Sequence, residues 1–294
     1  MSETTPEATA SAPAQPAAPA KPEKKEDSFV VFLLKLFLVV VIFRSFIFAP
    51  FYIPSESMLP RLLVGDYLLL AKWPYGYSRK SLPFGVPLLP ESRILASTPE
   101  RGDVVVFKAP PQNEQDWIKR VVGVPGDTVQ MKGGQLWLNG QPVSKQRIDD
   151  FEMPVTPNTI VDQYGQQKIN GPCGSRQFEA KAADGTDVCR FPRFRETLPG
   201  GKSYEVLDTA QGITDDTELF IVPEGSVFLM GDNRDHSADS RVLAENGGLG
   251  GPVPIDNLLG RATIMMWSTD GGAEWIKPWT WFSAARWSRI GGTF

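Results

Sequence analysis

The 294-residue chain has a single histidine, His236, and only two cysteines, Cys173 and Cys189. A closed zinc site takes four ligands, which this supply does not reach, so no metal and no other cofactor is expected. The scarcity of histidine also narrows acid–base chemistry: any activated nucleophile must use His236 or do without imidazole. An excess of basic charge is missing too. Thirty Lys and Arg against 34 Asp and Glu leave a net charge of −4, and without a basic face nucleic acid is not an expected partner. No repeat of solenoid length is present. Long helices have little room, because 26 Pro and 27 Gly are spread along the chain and favour short strands and turns.

What is present begins with an Ala/Pro-rich run, SAPAQPAAPAKP, ending in KKED. Residues 1–27 have little to bury and are expected to form a disordered tail. From Ser28 the run SFVVFLLKLFLVVVIFRSFIFAPF is apolar apart from Lys35 and Arg44, about the 20 residues a bilayer requires. We assign 28–49 to a transmembrane anchor. A cleavable leader is the alternative, but the run exceeds the usual apolar core of one and no A-x-A site follows. Lys21, Lys24 and Lys25 precede the span, and after Arg44 the next basic residue is Arg61. The positive-inside rule therefore leaves the N-terminus cytoplasmic and residues 50–294 outside. In an oxidising compartment Cys173 and Cys189 are expected to pair, two unpaired thiols being the alternative.

Beyond the anchor the fold is expected to be mostly antiparallel β. GDYLLLAKW, GDVVVFKAP, DWIKRVVGV, DTVQM, QLWLNGQPV, ELFIV, SVFLMGD and RATIMMW are short runs of strand formers bounded by Gly, Pro, Asp or Asn. Asn139-Gly140 signals a type I′ hairpin. Residues 141–217 are more polar, hold both cysteines and read as a loop-rich β insertion. The terminal EWIKPWTWFSAARWSRIGGTF sets Trp275, Trp279, Trp281 and Trp287 beside Lys277, Arg286 and Arg289, a composition suited either to a membrane interface or to core packing. The apolar stretch LPFGVPLLP is a second candidate for the interface.

Chemistry has few candidate carriers. In APFYIPSESMLPRL, Pro54 and Pro60 stiffen a loop that presents Ser55 and Ser57. A serine nucleophile needs a base. His236 sits among Asp232, Asp235 and Asp239, so a Ser-His-Asp arrangement is formally open. The other candidate is Lys119. Strand alternation in DWIKRVVGV puts Trp117, Lys119 and Val121 on one face and Ile118, Arg120 and Val122 on the other; among apolar neighbours a lysine is desolvated towards its neutral form. The residues alone leave the choice of base open.

Three segments carry a resemblance. RSFIFAPFYIPSESMLPRLLVGDYLLLAKWPYG resembles the serine region of bacterial signal peptidase I, a Ser/Lys serine protease family. RGDVVVFKAP with DWIKRVVGVPGD is similar to that family's lysine region, and GDNRDHSADSR to its late motif; RWSRIGG near the C-terminus is similar as well. The likeness covers about 44–70, 101–128 and 228–267. It implies that Ser57 attacks the scissile carbonyl, that Lys119 is the base, that Ser55 and the Ser57 N–H form the oxyanion hole, and that Ser237 orients the lysine. It also implies supporting ion pairs among Arg120, Asp232, Asp239 and Arg241. His236 departs from the pattern, standing where the family often has Asn, and one span is expected where some members have two.

The implied partners are exported preproteins with small residues before the cleavage site, together with the lipid bilayer of the bacterial plasma membrane. The enzyme is expected to act as a monomer. Phe51, Ile53, Met58, Leu62, Trp117 and Ile118 are candidate liners of shallow substrate pockets, or ordinary core. Two rivals are a membrane-tethered β-domain without catalysis and a self-cleaving Ser-Lys repressor. The first has no need of the serine, lysine and late motif together; the second needs a DNA-binding helical region, which the sequence does not display.

Overall fold

A computed structural model describes residues 28–82, 87–90, 92–274 and 276–294. The tail assigned to 1–27, part of LPFGVPLLP and Trp275 lie outside them. The first element, α1 (Phe29–Phe46), has apolar side chains exposed all round. Its 18 residues span about 27 Å at 1.5 Å each, close to the hydrocarbon thickness of a bilayer, and it is a candidate membrane span by length and composition. The helix stops at Phe46, and the end of the apolar run becomes a strand, β1 (Phe48–Tyr52). Pro50 lies in that strand and disfavours continued helix.

Fourteen further strands follow in chain order: β2 (Asp66–Ala71), β3 (Val104–Lys108), β4 (Asp116–Gly123), β5 (Thr128–Lys132), β6 (Gln135–Leu138), β7 (Gln141–Pro142), β8 (Ser144–Pro154), β9 (Glu179–Lys181), β10 (Asp187–Thr197), β11 (Ser203–Leu207), β12 (Phe220–Ile221), β13 (Ser226–Met230), β14 (Val253–Pro254) and β15 (Leu258–Ser268). The largest sheet runs β1-β2-β15-β3-β4-β13-β14, with every neighbouring pair antiparallel. A second sheet joins β11, β10 and β8, with β9 on β10, and a third runs β12-β5-β6-β7. The architecture is thus mostly antiparallel β with one N-terminal apolar helix, in line with the strand-and-turn pattern of the sequence. Between β6 and β7, Asn139 and Gly140 have φ of 50° and 74°, the left-handed pair that a type I′ turn demands.

β3 shows why the central sheet is apolar throughout. Its alternate residues Val104 and Val106 enter one cluster with Ile53, Met58, Leu62, Leu68, Ile118 and Met265. Val105 and Phe107 enter another with Tyr75, Val121, Leu229 and Leu258. Both faces are covered, so the strand reads as a continuous apolar run instead of an alternating one. A third cluster lies against Phe228, Met230 and the β5–β6 hairpin. A fourth packs Cys173 and Cys189 with Leu59 and Leu63, just past Ser57. The two cysteines are joined in a disulfide with Cα atoms 5.3 Å apart, closing a separation of 16 residues.

Candidate active site

Ser57 lies eleven residues past the end of α1, on a loop tied at both ends. Ile53 N–H donates to Asp66 O, and Gly65 N–H returns to Ile53 O. Asp66 is wholly buried and accepts from Leu63 N–H, Ser268 Oγ and Arg289. Ile53, Met58 and Leu62 are fully buried, so the loop that carries the serine is pinned by its apolar residues.

Lys119 stands at the middle of β4, opposite Val105. It is 4% exposed, which is unusual for a lysine. Its Nζ donates to Ser57 Oγ at 2.9 Å and to Ile118 O at 2.9 Å; the Trp117 ring centroid lies 5.5 Å away. Burial lowers the ammonium to about 8; Asp239 and Asp232 oppose that drop and Arg241 reinforces it. Stripping water from an ammonium with no carboxylate in contact favours the neutral amine, and a neutral amine near pH 8 has a lone pair free to take a proton.

Ser55 Oγ is 3.4 Å from Ser57 Oγ. No acceptor takes the Ser57 N–H among the described residues. An unspent N–H and a hydroxyl held only by a long 3.4 Å contact therefore lie at Ser57, donors of the kind that a developing oxyanion would use.

The loop after β13 closes the site from behind. Gly231 is indispensable to the packing: a Cβ there would sit 2.2 Å from Ser237 Oγ and 2.6 Å from Ser57 O. Ser237 is buried, and its Oγ has no partner among the described residues; it packs at Gly231 without a hydrogen bond to Lys119. Asp239 accepts from Gly231 N–H at 2.9 Å and from Arg241 through two contacts of 2.9 and 2.8 Å. Burial alone would raise this acid, but the Arg241 guanidinium and those N–H groups hold it below the usual carboxylate range. Arg120 pairs with Asp232 at 2.7 and 2.6 Å and also donates to Gly102 O. The four charges singled out in the sequence thus form two bidentate pairs, Arg120–Asp232 and Arg241–Asp239. Such pairs satisfy buried charge, and removing one partner is what destabilises.

Of the proposed pocket liners, Ile53, Met58, Leu62 and Ile118 share one core cluster with Phe51 packed against it, while Trp117 belongs to the cluster on the other face. His236 is exposed and lies near Gly174. In the C-terminal segment Trp279, Trp281 and Trp287 are exposed, whereas Arg286 and Arg289 both turn inward to Asp66.

Some supporting residues had no signal in the sequence. Glu196 on β10 is fully buried, paired with Arg234 at 2.8 and 2.6 Å and bonded by Tyr204 Oη. The Arg120 guanidinium rests over the Tyr204 ring at 4.3 Å. Lys168 pairs with Glu56, next to Ser57, at 2.5 Å. Glu196 and Arg234 are 38 residues apart and Lys168 and Glu56 are 112 apart, beyond the reach of any local pattern. Gly231 could have been suspected from its place at the head of GDNRDHSADSR. Elsewhere the Asp208, Asp215 and Asp235 carboxylates come within 4.8 Å, but each is already engaged, Asp208 by Lys145, Asp215 by Gly212 N–H and Asp235 by Thr209 and Ala210 N–H.

A buried lysine amine in contact with a serine hydroxyl on a β scaffold brings together a hydroxyl and a base without histidine. Residues 27–267 match the family model for signal peptidase, peptidase S26, and the chain belongs to that family. The signal peptidase I of Rickettsia canadensis is 32% identical over 240 residues, 79% of this chain and 76% of that protein. That of Rickettsia typhi is 31% identical over 274 residues, 86% and 88% of the two chains. A crystal structure of a signal peptidase I from Enterococcus faecalis matches 57% of this chain and 98% of its own, at 23% identity and a TM-score of 0.28, a likeness too slight to bear on the site.

Proposed function

We propose that this protein is a membrane-anchored serine endopeptidase that removes signal peptides from exported preproteins, with Ser57 as nucleophile and neutral Lys119 as general base. The observation that carries the reading is the 2.9 Å contact between Lys119 Nζ and Ser57 Oγ inside a water-poor site. With Lys119 neutral, that contact runs from the Ser57 O–H to the Nζ lone pair. As Oγ attacks the scissile carbonyl, the proton passes to Nζ and the carbonyl oxygen becomes an oxyanion facing the Ser57 N–H and the Ser55 hydroxyl. Lys119 then protonates the leaving amine, and the acyl-enzyme is hydrolysed by a water that gives its proton to the same Nζ. The Arg120–Asp232 and Asp239–Arg241 pairs fix the late loop, which seats Ser237 behind Ser57 at Gly231.

In this reading α1 anchors the chain in the plasma membrane with its N-terminus cytoplasmic, and residues 50–294 form the extracytoplasmic peptidase domain with its insertion at about 141–217. The chain works as a monomer, and the tether raises the local concentration of membrane-held substrate without any new contact. Small residues before the cleavage site are selected by pockets drawn from Phe51 and Trp117, the part-exposed members of the six candidates, Ile53, Met58, Leu62 and Ile118 being buried core. The deciding experiment is preprotein cleavage in detergent by wild type, Ser57→Ala, Lys119→Ala and His236→Ala. The first two variants should be inactive and the third close to wild type. Full activity in Lys119→Ala, or loss confined to His236→Ala, overturns the mechanism.

A further inference from the structure

Asn233 grips the nucleophile's backbone from the side opposite the reaction. Its N–H donates to Ser57 O at 3.1 Å, and its side-chain Nδ2 donates to Glu56 O at 3.1 Å. Leu59 N–H also donates to Glu56 O at 3.1 Å. The Glu56–Ser57 peptide is trans, the cis bonds being Leu59–Pro60 and Pro110–Pro111 among the described residues. In a planar trans peptide the C=O and the N–H point in opposite directions. Fixing Glu56 O against Asn233 therefore fixes the direction of the Ser57 N–H, a donor that no other group among the described residues uses.

The orientation of the amide is itself determined. Rotating it would set Asn233 Oδ1 against Glu56 O, acceptor to acceptor. Held as it is, Oδ1 is buried with no partner, an expense in stability that a purely structural asparagine would not need to carry. Asn233 is itself 4% exposed and opens the short turn Arg234–His236, whose Arg234 is locked to Glu196. The grip thus rests on a rigid base.

We propose that Asn233 is a positioning residue that aims the Ser57 N–H at the oxyanion of the tetrahedral intermediate. The inference rests on the reading of Ser57 as nucleophile. The test uses the full chain in detergent, with Asn233→Asp and Asn233→Ala. Asn233→Asp retains the backbone N–H bond and the shape but replaces the donating Nδ2 by an acceptor, so it decides the matter even where Asn233→Ala fails to fold. Outright removal of an oxyanion donor costs roughly 10²–10³ in kcat, and a misaimed one should cost about tenfold to a hundredfold. KM should stay within about twofold; the pH midpoint of activity should not move in Asn233→Ala, which adds no charge near Lys119, and should rise in Asn233→Asp, whose new carboxylate favours the ammonium as Asp239 does. Affinity for a peptide aldehyde, whose adduct carries the oxyanion, should fall in step with kcat. Affinity for the same peptide with its scissile amide reduced, which has no carbonyl oxygen, should not change. A kcat within about twofold of wild type, or equal losses for both ligands, sinks the positioning role. Unimpaired cleavage by Ser57→Ala instead removes the underlying reading, and the role of Asn233 with it.

Discussion

Replacing Lys119 by methionine separates the energetic burden of the buried base from its chemistry. Lys119 is lowered from 10.5 to about 8, chiefly by burial. At about 1.4 kcal/mol for each pH unit, that drop amounts to about 3 kcal/mol of folding stability given up whenever the unfolded chain's lysine is charged. The sign follows from proton counts. Between pH 8 and 10.5 the unfolded lysine holds a proton that the folded one has shed, so stability rises with pH across that window. Below pH 8 both states are charged, and the folded protein bears the full penalty of a desolvated ammonium. Methionine has nearly the same length and no charge, and so escapes it. The substitution also removes the bonds to Ser57 Oγ and Ile118 O, a pH-independent loss of about 1–3 kcal/mol. Urea unfolding of the full chain in detergent, followed by tryptophan fluorescence at several pH values from 6.5 to 10.5, gives the difference between the two proteins. Lys119→Met should be as stable as wild type or more so at pH 6.5–7, and should lose about 3 kcal/mol relative to it by pH 10.5. The same variant should be catalytically inactive throughout. A stability difference that does not change with pH, or that moves the other way, refutes the picture of a lysine neutralised by burial.

Three further outcomes follow from the geometry. Wild-type cleavage should rise with pH to a plateau with a midpoint near 8, and Asp239→Asn should move that midpoint lower, because Asp239 raises Lys119; a rate profile unmoved or shifted upward in kcat/KM would contradict this. Gly231→Ala forces Ser237 and the Ser57 carbonyl apart, and a displacement near 1 Å should lower kcat by about 10² while circular dichroism still reports a folded β protein. Loss of the Cys173–Cys189 bridge in the double serine variant frees a loop of 16 residues. Scanning calorimetry should register about 3 kcal/mol, a fall in Tm of roughly 6–12 °C.

The strands were legible wherever burial was one-sided or complete over a short run. GDVVVFKAP, DWIKRVVGV and SVFLMGD became β3, β4 and β13 because β-branched and aromatic residues between Gly, Pro and Asp have few other uses. β8, SKQRIDDFEMP, and β10, DVCRFPRFRET, escaped notice although both have 11 residues. Their outer faces carry charged side chains, and their pairing shifts register between Phe191 and Arg193, which breaks the alternation that a sequence reading depends on. β1 was hidden differently, as the tail of an apolar run whose first part is helix.

By itself the sequence determined the inventory: an apolar span near the N-terminus, a stiffened serine loop, one lysine in an apolar strand, one histidine, two cysteines. Those are properties of composition and of short-range pattern, set by each residue's own solubility and backbone preference. Residue pattern alone left the base open between Lys119 and His236, and the resemblance to signal peptidase I pointed to Lys119. Only the tertiary structure decided their surroundings: Lys119 is buried with its Nζ 2.9 Å from Ser57 Oγ, while His236 is exposed. Desolvation is a property of the groups that surround an amine in space. Here they arrive from β3, β4, the Ser57 loop and the Gly231–Arg241 loop, segments whose approach no local sequence encodes.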